Sequence, residues 1–420
     1  MILYPTQEKV LNEANPSHYF ALGTSSGKSL ISIYHYLKHK ANEPLLIVCP
    51  PTKKKSNEWD YEIQKVEQHE NIEIKYEVVA SSMLAKEYSR FKDYFVILDE
   101  AHYFMNPTSN RGKAAQKLCK ASTNFSMLSA TPGENWEKFM NYLIIFGFYK
   151  NKTEFLRNHA VYETKHFGGR SIKQIVDFQN TDKLESIWQS ISTMKETSYF
   201  VDLPQVTERF VEFNKSTTYK KAAKDRVIEV DNEQIILDSP PKLAATLRYL
   251  SNQKAKVDYT KELLESTNDN VVIFYQFTKE KDNLLQMISK LNKKIYEVSG
   301  QNFELPTQDE RSTLTNSVTL VQIQAGSAAI ELKYASQVIY YCPTYSFTQY
   351  QQSRGRCIRH GGHDRVEIIK YKTKGTIETQ VWKALSDKKD FDEKLYLLEE
   401  VKWWKKQSHI SFDIEIFLYI

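Results

Sequence analysis

Short apolar runs of four to seven residues, each followed by a stretch with helical spacing, recur along most of this 420-residue chain. In the first half they sit within HYFAL, PLLIVCP, IKYEVVA, YFVILDE and NFSMLSAT, and in the second within NVVIFYQF, KKIYEVSG, VTLVQIQ, ASQVIYYCP and RVEIIKYKT. A run that is apolar at every position is buried on both faces, and a sheet covered on both faces is typically parallel, its strands joined by helices. The expected fold class is therefore α/β. Helices are expected from about Ser29, near Trp59 to Val66 and near Met83 to Phe91. Between the two series, residues 150 to about 240 form a more polar, helix-rich region containing FGGR, DKLESIWQSI and the extended VDLPQVTERFVEFN. The length exceeds one ordinary core, so two lobes are expected, over 1–235 and 236–400, with a tail over 401–420 and a hinge at Ser239-Pro240-Pro241.

Composition narrows the function classes. Lys+Arg exceeds Asp+Glu by 57 − 52 = 5, a mildly basic balance that allows a polyanionic partner without demanding one. The four cysteines, Cys49, Cys119, Cys342 and Cys357, lie far apart with no C-x-x-C pair, which argues against a zinc ribbon or a disulfide framework. The N-terminus MILYPTQEKV lacks the basic patch and apolar core of a signal peptide, and no apolar run approaches membrane-spanning length. A cytoplasmic location is expected. Abundant lysine, asparagine, isoleucine and tyrosine read as an AT-rich coding bias, pointing to a low-GC bacterium or its phage.

In HYFALGTSSGKSLISIYHYL an apolar strand, a polar loop and an amphipathic helix follow in order, with Leu30, Ile33, Tyr34 and Leu37 at i, i+3, i+4, i+7. That order suits a phosphate-binding loop over Gly23, Thr24, Ser25, Ser26, Gly27, Lys28 and Ser29. Backbone N–H groups and the helix dipole would face phosphates, Lys28 would reach the β/γ oxygens, and Ser29 would hold Mg²⁺. The alternative is a loop with a surface lysine.

YFVILDEAH, residues 94–102, is a buried-strand pattern whose polar residues come only at its C-terminal end, the edge at which parallel sheets bind ligands. Asp99 would hold Mg²⁺ and Glu100 would polarise the attacking water. Ser129 and Thr131 of SATP end another apolar run. QQSRGRCIRH fits Q-x-x-G-R-x-x-R from Gln352 to Arg359, and a helix there puts Arg356 and Arg359 on one face, which suits an anion such as a γ-phosphate. HGGH at 360–363 reads as a turn.

GTSSGKS, DEAH, SAT and Q-x-x-G-R-x-x-R in this order resemble the superfamily 2 helicases and translocases, most like the compact Swi/Snf-type DNA translocases. LYPTQEKVL, LLIVCPPTKKKSNEWDYEI, DEAHYFMNPTSNRGKAAQKL, SATPGENW, DLPQVTERFVEFNKSTTYK, VVIFYQFTKEKDNL and YKTKGTIETQVWKAL resemble further segments of that family, so the likeness covers nearly the whole chain. It implies two RecA-like parallel-sheet lobes with the nucleotide site in the cleft between them. It implies ATP and Mg²⁺ as cofactors, with Gln7 near the adenine, Lys28, Asp99, Glu100, Gln352, Arg356 and Arg359 as catalytic residues, and His102, Ser129, Thr131, Gly326 and Glu331 as coupling residues. Two features depart from the family. Ser25 stands for a glycine two places before Gly27, and AGSAAIEL at 325–332 carries Ser327, Ala329 and Glu331 where glycines and an Asn or Asp are usual.

The implied activity is ATP-dependent movement along DNA, 3′ to 5′, in replication or repair, on single-stranded or forked DNA without sequence specificity and with a loader or replication-protein partner. Contacts to phosphates are expected from Lys53, Lys54 and Lys55 in a loop after a strand, from Ser81 and Ser82, and from Gln276 and Thr278. The lysine triplet reads equally as a solvated loop. VKWWKKQ interleaves aromatic and basic residues and would stack bases or pack on the second lobe. HISFDIEIFLYI reads as an edge strand or a docking segment. Alternatives are a duplex-remodelling or annealing translocase without net unwinding, an ATP-binding scaffold with decayed hydrolysis, and an RNA helicase.

Overall fold

Each apolar run forms a strand in the computed structural model, which describes residues 3–39, 43–133, 135–167, 170–230, 233–251, 253–325 and 330–391. The strands are β1 (His18–Leu22), β2 (Leu45–Cys49), β3 (Tyr76–Ala80), β4 (Phe95–Leu98), β5 (Phe125–Ser129), β6 (Ala160–Phe167), β7 (Arg170–Phe178) and β8 (Ser192–Lys195), followed by β9 (Gln205–Phe213), β10 (Val227–Val230), β11 (Glu233–Ile236), β12 (Val271–Tyr275), β13 (Lys294–Val298), β14 (Ser317–Gln322), β15 (Gln337–Tyr340) and β16 (Arg365–Thr373). Two six-stranded sheets result, ordered β3-β2-β4-β5-β1-β8 and β13-β14-β12-β15-β16-β9. Every pairing within them is parallel. The fold class is α/β, two RecA-like parallel-sheet lobes.

Strands β1, β2, β4, β5 and β12 are buried at every residue, as expected for sheets covered on both faces. In the first unit one face packs Tyr19, Leu46, Val96 and Met127 beneath Tyr142 and Trp188, and the other packs Phe20, Ile47 and Ile97 against Ile31, Ile63 and Val66. The second unit repeats the plan, with Val272, Phe274 and Tyr340 facing Trp382 on one side and Ile273, Leu320 and Tyr371 facing Leu284 and Ile288 on the other.

The described chain divides after Asp202, not after 235 as the motif spacing predicts. The reason is β9, which pairs with β16 over all nine residues and so belongs to the second sheet. Ser239-Pro240-Pro241 is correspondingly no hinge, because Ser239 precedes and the prolines open the helix Pro240–Tyr249 inside the second unit. The region from 150 to 240 holds the expected helices, at Lys152–His159, Thr181–Ile191 and Thr217–Asp225, and in addition an antiparallel hairpin, β6–β7, and a second, β10–β11. The stretch from Met83 to Phe91 forms only a four-residue helix, Leu84–Glu87, and a 3-10 turn, Tyr88–Arg90. Gly168, Gly169, Gly326, Ser327 and Ala329, and the segments VKWWKKQ and HISFDIEIFLYI, lie outside the described residues. Among the described residues no helix is long and apolar enough to cross a membrane.

Candidate nucleotide and metal site

The parallel register brings three loops of the first unit to one sheet edge. Ala21 of β1 pairs with Ser129 of β5, and Leu98 of β4 pairs with Met127 of β5, so β1, β4 and β5 end on the same edge. Gly23 to Gly27, Asp99-Glu100 and Ser129 to Thr131 therefore line the C-terminal edge, where an α/β sheet binds its ligand.

The phosphate-loop candidate leads directly into the helix Lys28–His39. Gly27 has φ +75, and a Cβ there would meet the Gln7 amide. Gly23 needs its missing Cβ for a different reason, since Thr197 packs against it and its N–H donates to the Lys195 carbonyl at 2.9 Å. Ser25, two places before Gly27, has φ +62 and so bears the left-handed strain a glycine would avoid. The Lys28 ammonium donates to the Leu22 and Gly23 carbonyls at 2.9 and 2.8 Å, so it lies over the loop. Gln7 is 5% exposed and clasps the loop, its Nε2 donating to the Ser26 carbonyl at 2.9 Å while its Oε1 accepts from the Tyr4 N–H. Thr24 and Ser29 are half-buried.

Asp99 is almost fully buried and both its oxygens are engaged. Oδ2 accepts from Lys53 Nζ at 2.7 Å and Trp59 Nε1 at 3.1 Å, and Oδ1 accepts from the Glu100 N–H at 2.9 Å. Trp59, Ile63 and Val66 share one face of the helix Glu58–Glu70, which seats the indole in the core and its N–H on the carboxylate. Glu100 adopts φ +50, a strained conformation for a non-glycine residue. Burial alone would raise its carboxyl, but His102, Lys53 and Lys28 outweigh burial and hold it well below the usual carboxylate range. His102 Nδ1 lies 3.3 Å from Glu100 Oε2, without the alignment of a hydrogen bond. The Thr131 N–H donates to Ser129 Oγ at 3.1 Å.

These residues fit Mg²⁺ and ATP. Ser26 Oγ, Glu100 Oε2 and Thr131 Oγ1 are buried without a hydrogen-bond partner, and buried polar atoms of that kind are costly unless a ligand or water satisfies them. An ionised Glu100 stands beside Asp99. Gly23 to Ser29 would hold the phosphates, and Ser29 and Asp99 the metal. Bound Mg·ATP would supply the phosphoanhydride and the Lewis acid.

Several expected positions differ. Lys53 to Lys55 form a short helix, Pro51–Lys55, not a loop, and Lys53 turns inward to Asp99, while Lys54 and Lys55 are exposed. Ser81 is 1% exposed and does not reach the surface, whereas Ser82 does. In the second unit Gln276 is half-buried and Thr278, exposed, opens the helix Thr278–Ile288. Gln352 and Arg356 lie on the helix Phe347–Cys357, which buries Tyr350, Ser353 and Cys357. That helix ends before Arg359, so Arg356 and Arg359 share no helical face, and the Arg359 Nε donates to the Gly355 carbonyl at 3.0 Å. HGGH forms a turn with Gly361 at φ +74. Glu331, the unusual acid, is held by Arg311 at 2.9 Å and Lys333 at 3.2 Å.

Two participants escape motif reading. Trp59 touches Asp99, and Glu208 of β9 binds Arg354 of the Phe347–Cys357 helix at 2.6 Å and also Lys370. The tryptophan lies in a segment already noted for its family likeness, but its target is fixed only by packing. No signal marks Glu208.

A wound parallel sheet with a glycine-bearing loop, paired acids and a cation at one edge is the arrangement the sequence led us to expect of a nucleotide-binding α/β core. Residues 255–361 match the helicase conserved C-terminal domain. The chromatin-remodeling ATPases INO80 of Neurospora crassa and Gibberella zeae are each 26% identical over 147 residues, 33% of this chain; the match spans 7% and 8% of their lengths. Among solved structures, the Sulfolobus solfataricus SWI2/SNF2 ATPase core in complex with dsDNA is 19% identical, with coverage of 97% and 96% and a TM-score of 0.42. The C-terminal part of the Fun30 ATPase domain is 22% identical over 39% of this chain and 57% of its own, with a TM-score of 0.32. The sequence matches thus tie the second unit to the helicase C-terminal domain, and the chain spans less than a tenth of the length of the chromatin-remodeling ATPases it resembles.

Proposed function

We propose that the chain is an ATP hydrolase that couples turnover to movement along DNA. The observation that carries this reading is the meeting of the Lys28 loop, Asp99 and Glu100 at one sheet edge, in a chain whose second unit carries the matched helicase segment with Gln352, Arg356 and Arg359. Lys28 and the loop hold phosphates, Asp99 the metal and Glu100 the water, and the arginines contribute the finger effect, about 10³ to 10⁵ in rate. His102, Ser129, Thr131 and Glu331 relay the nucleotide's state.

The INO80 relatives are chromatin-remodelling ATPases, which favours duplex translocation or remodelling over strand separation. Movement 3′ to 5′ in replication or repair and a single-stranded or forked substrate with a loader partner are the finer reading drawn from the family likeness, and a bacterial or phage-infected cytoplasm the one drawn from residue usage. Steady-state ATP hydrolysis with and without DNA tests the main reading. The expected result is DNA-stimulated turnover that Lys28→Ala abolishes and Glu100→Gln lowers by roughly 10² to 10⁴ while ATP-analogue binding persists. Absence of DNA stimulation, or full activity of Lys28→Ala, would refute it. A forked-substrate assay beside a triplex-displacement assay separates unwinding from duplex translocation.

A further inference from the structure

The cation nearest the expected metal carboxylate belongs to the protein. Asp99 and Glu100 are adjacent acids in a largely buried site, and such charges persist only with a counter-charge close by. Lys53 provides it, 2.7 Å from Asp99 Oδ2, with its side chain 16% exposed and that of Asp99 3%. Trp59 Nε1 donates to the same oxygen and fixes the carboxylate's orientation.

We infer that Lys53 and a divalent metal are mutually exclusive on Asp99, and that a nucleic-acid phosphate is the alternative partner of Lys53. A metal on Asp99 brings two positive charges beside one already there, in a poorly screened site, so the ammonium is driven off. It sits on the helix Pro51–Lys55, whose Lys54 and Lys55 are exposed, so rotation of the side chain carries it from the acid toward the solvent-facing side of a short basic helix. By linkage, whatever holds Lys53 outward raises the affinity of Asp99 for metal, and metal in turn frees Lys53 for phosphate. Phosphate is the fitting partner, being an anion that a point-charge ammonium binds well. The metal half rests on reading Asp99 as the metal carboxylate, and the phosphate half on the DNA-translocase reading.

The test uses the full chain, Mn²⁺ as the probe, and the electron paramagnetic resonance signal of free Mn²⁺ as the readout, without nucleotide and at low salt. Lys53→Met should bind Mn²⁺ roughly 5- to 100-fold tighter than the unsubstituted chain, the span of ordinary coupling. Lys53→Arg should stay near the original value and Asp99→Asn should lose the site. Lys53→Gln repeats the measurement should Lys53→Met fail to fold, as judged by circular dichroism. A random-sequence duplex of about 30 base pairs, long enough to span several phosphate contacts, should then tighten Mn²⁺ binding to the unsubstituted chain and leave Lys53→Met unchanged. Equal Mn²⁺ affinity in Lys53→Met and the original chain would overturn the exclusion. Equal tightening by duplex in both would overturn the phosphate exchange. A chain that binds no duplex would sink the translocase reading and the phosphate half together, while the Mn²⁺ comparison without DNA still decides the metal half.

Discussion

Ser25 and Glu100 are both non-glycine residues with positive φ beside the nucleotide site, but their strain has different standing. Glu100 carries the carboxylate that its proposed role on the attacking water requires, which a glycine would lose. Ser25 is exposed, so relief there is open to the protein. Ser25→Gly is expected to stabilise the first unit by up to about 1 kcal/mol, the left-handed penalty less the added unfolded-chain entropy, with ATP hydrolysis retained. Urea unfolding of the two forms measures it, and a destabilised glycine variant would show that the serine is not strained. Residue identity made Lys28, Asp99, Glu100, Gly23 and Gly27 legible, because each is the type its chemistry or backbone demands. Lys53 was not legible. Three consecutive lysines point in three directions on a helix, and only the tertiary position of Asp99 selects which one turns inward.

At the level of elements, β1 and the helix Lys28–His39 carry a second consequence, at the end away from the loop. His18 opens β1, its Nδ1 accepting from the Asn15 N–H at 3.3 Å and its Nε2 lying 2.9 Å from Thr193 Oγ1. His35 Nε2 donates to the Asn15 carbonyl at 2.7 Å, which leaves Nδ1 to accept from Ser126 Oγ at 2.8 Å. Both rings are thus satisfied as neutral imidazoles, and burial lowers them from 6.5 to about 4 for His18 and about 3 for His35. Above pH 6.5 neither the folded nor the unfolded chain binds these protons and stability is unaffected. Below it the unfolded chain takes up protons that the native one refuses, so stability falls by about 1.4 kcal/mol per pH unit per histidine until the folded values are reached. Urea midpoints measured from pH 7.5 to 5 should drop accordingly, and His35→Gln should flatten the slope. An unchanged midpoint would contradict the buried neutral pair. The strands that were easily read, such as β2 and β12, are those with both faces buried. The hairpin β6–β7 escaped because strands paired only to each other, with Val161, Tyr162 and Val176 exposed, carry no core-facing pattern.

For the whole molecule, the lesson of β9 is that chain order and sheet membership part company. Its sequence neighbours on the N-terminal side belong to the first unit, and its composition is too polar to announce a partner, so motif spacing assigns it to the wrong lobe. Pairing with β16 is sealed by charge: Glu208 meets Arg354 and Lys370, Arg209 meets Glu367 at 2.7 Å, and Glu212 meets Lys372 and Lys374 at 2.7 and 2.8 Å. Removed from β9, the strand β16 would offer a bare row of backbone donors and acceptors over the apolar stretch around Ile368 and Ile369, a template for pairing with another copy. Recombinant pieces cut at different points should therefore behave differently in solution. A piece spanning 203–391 keeps its charged margin and should elute as a monomer in size-exclusion chromatography, while one spanning 236–391 should self-associate and precipitate. Equal solubility of the two would show that β9 is a passenger on the second sheet and not its guard.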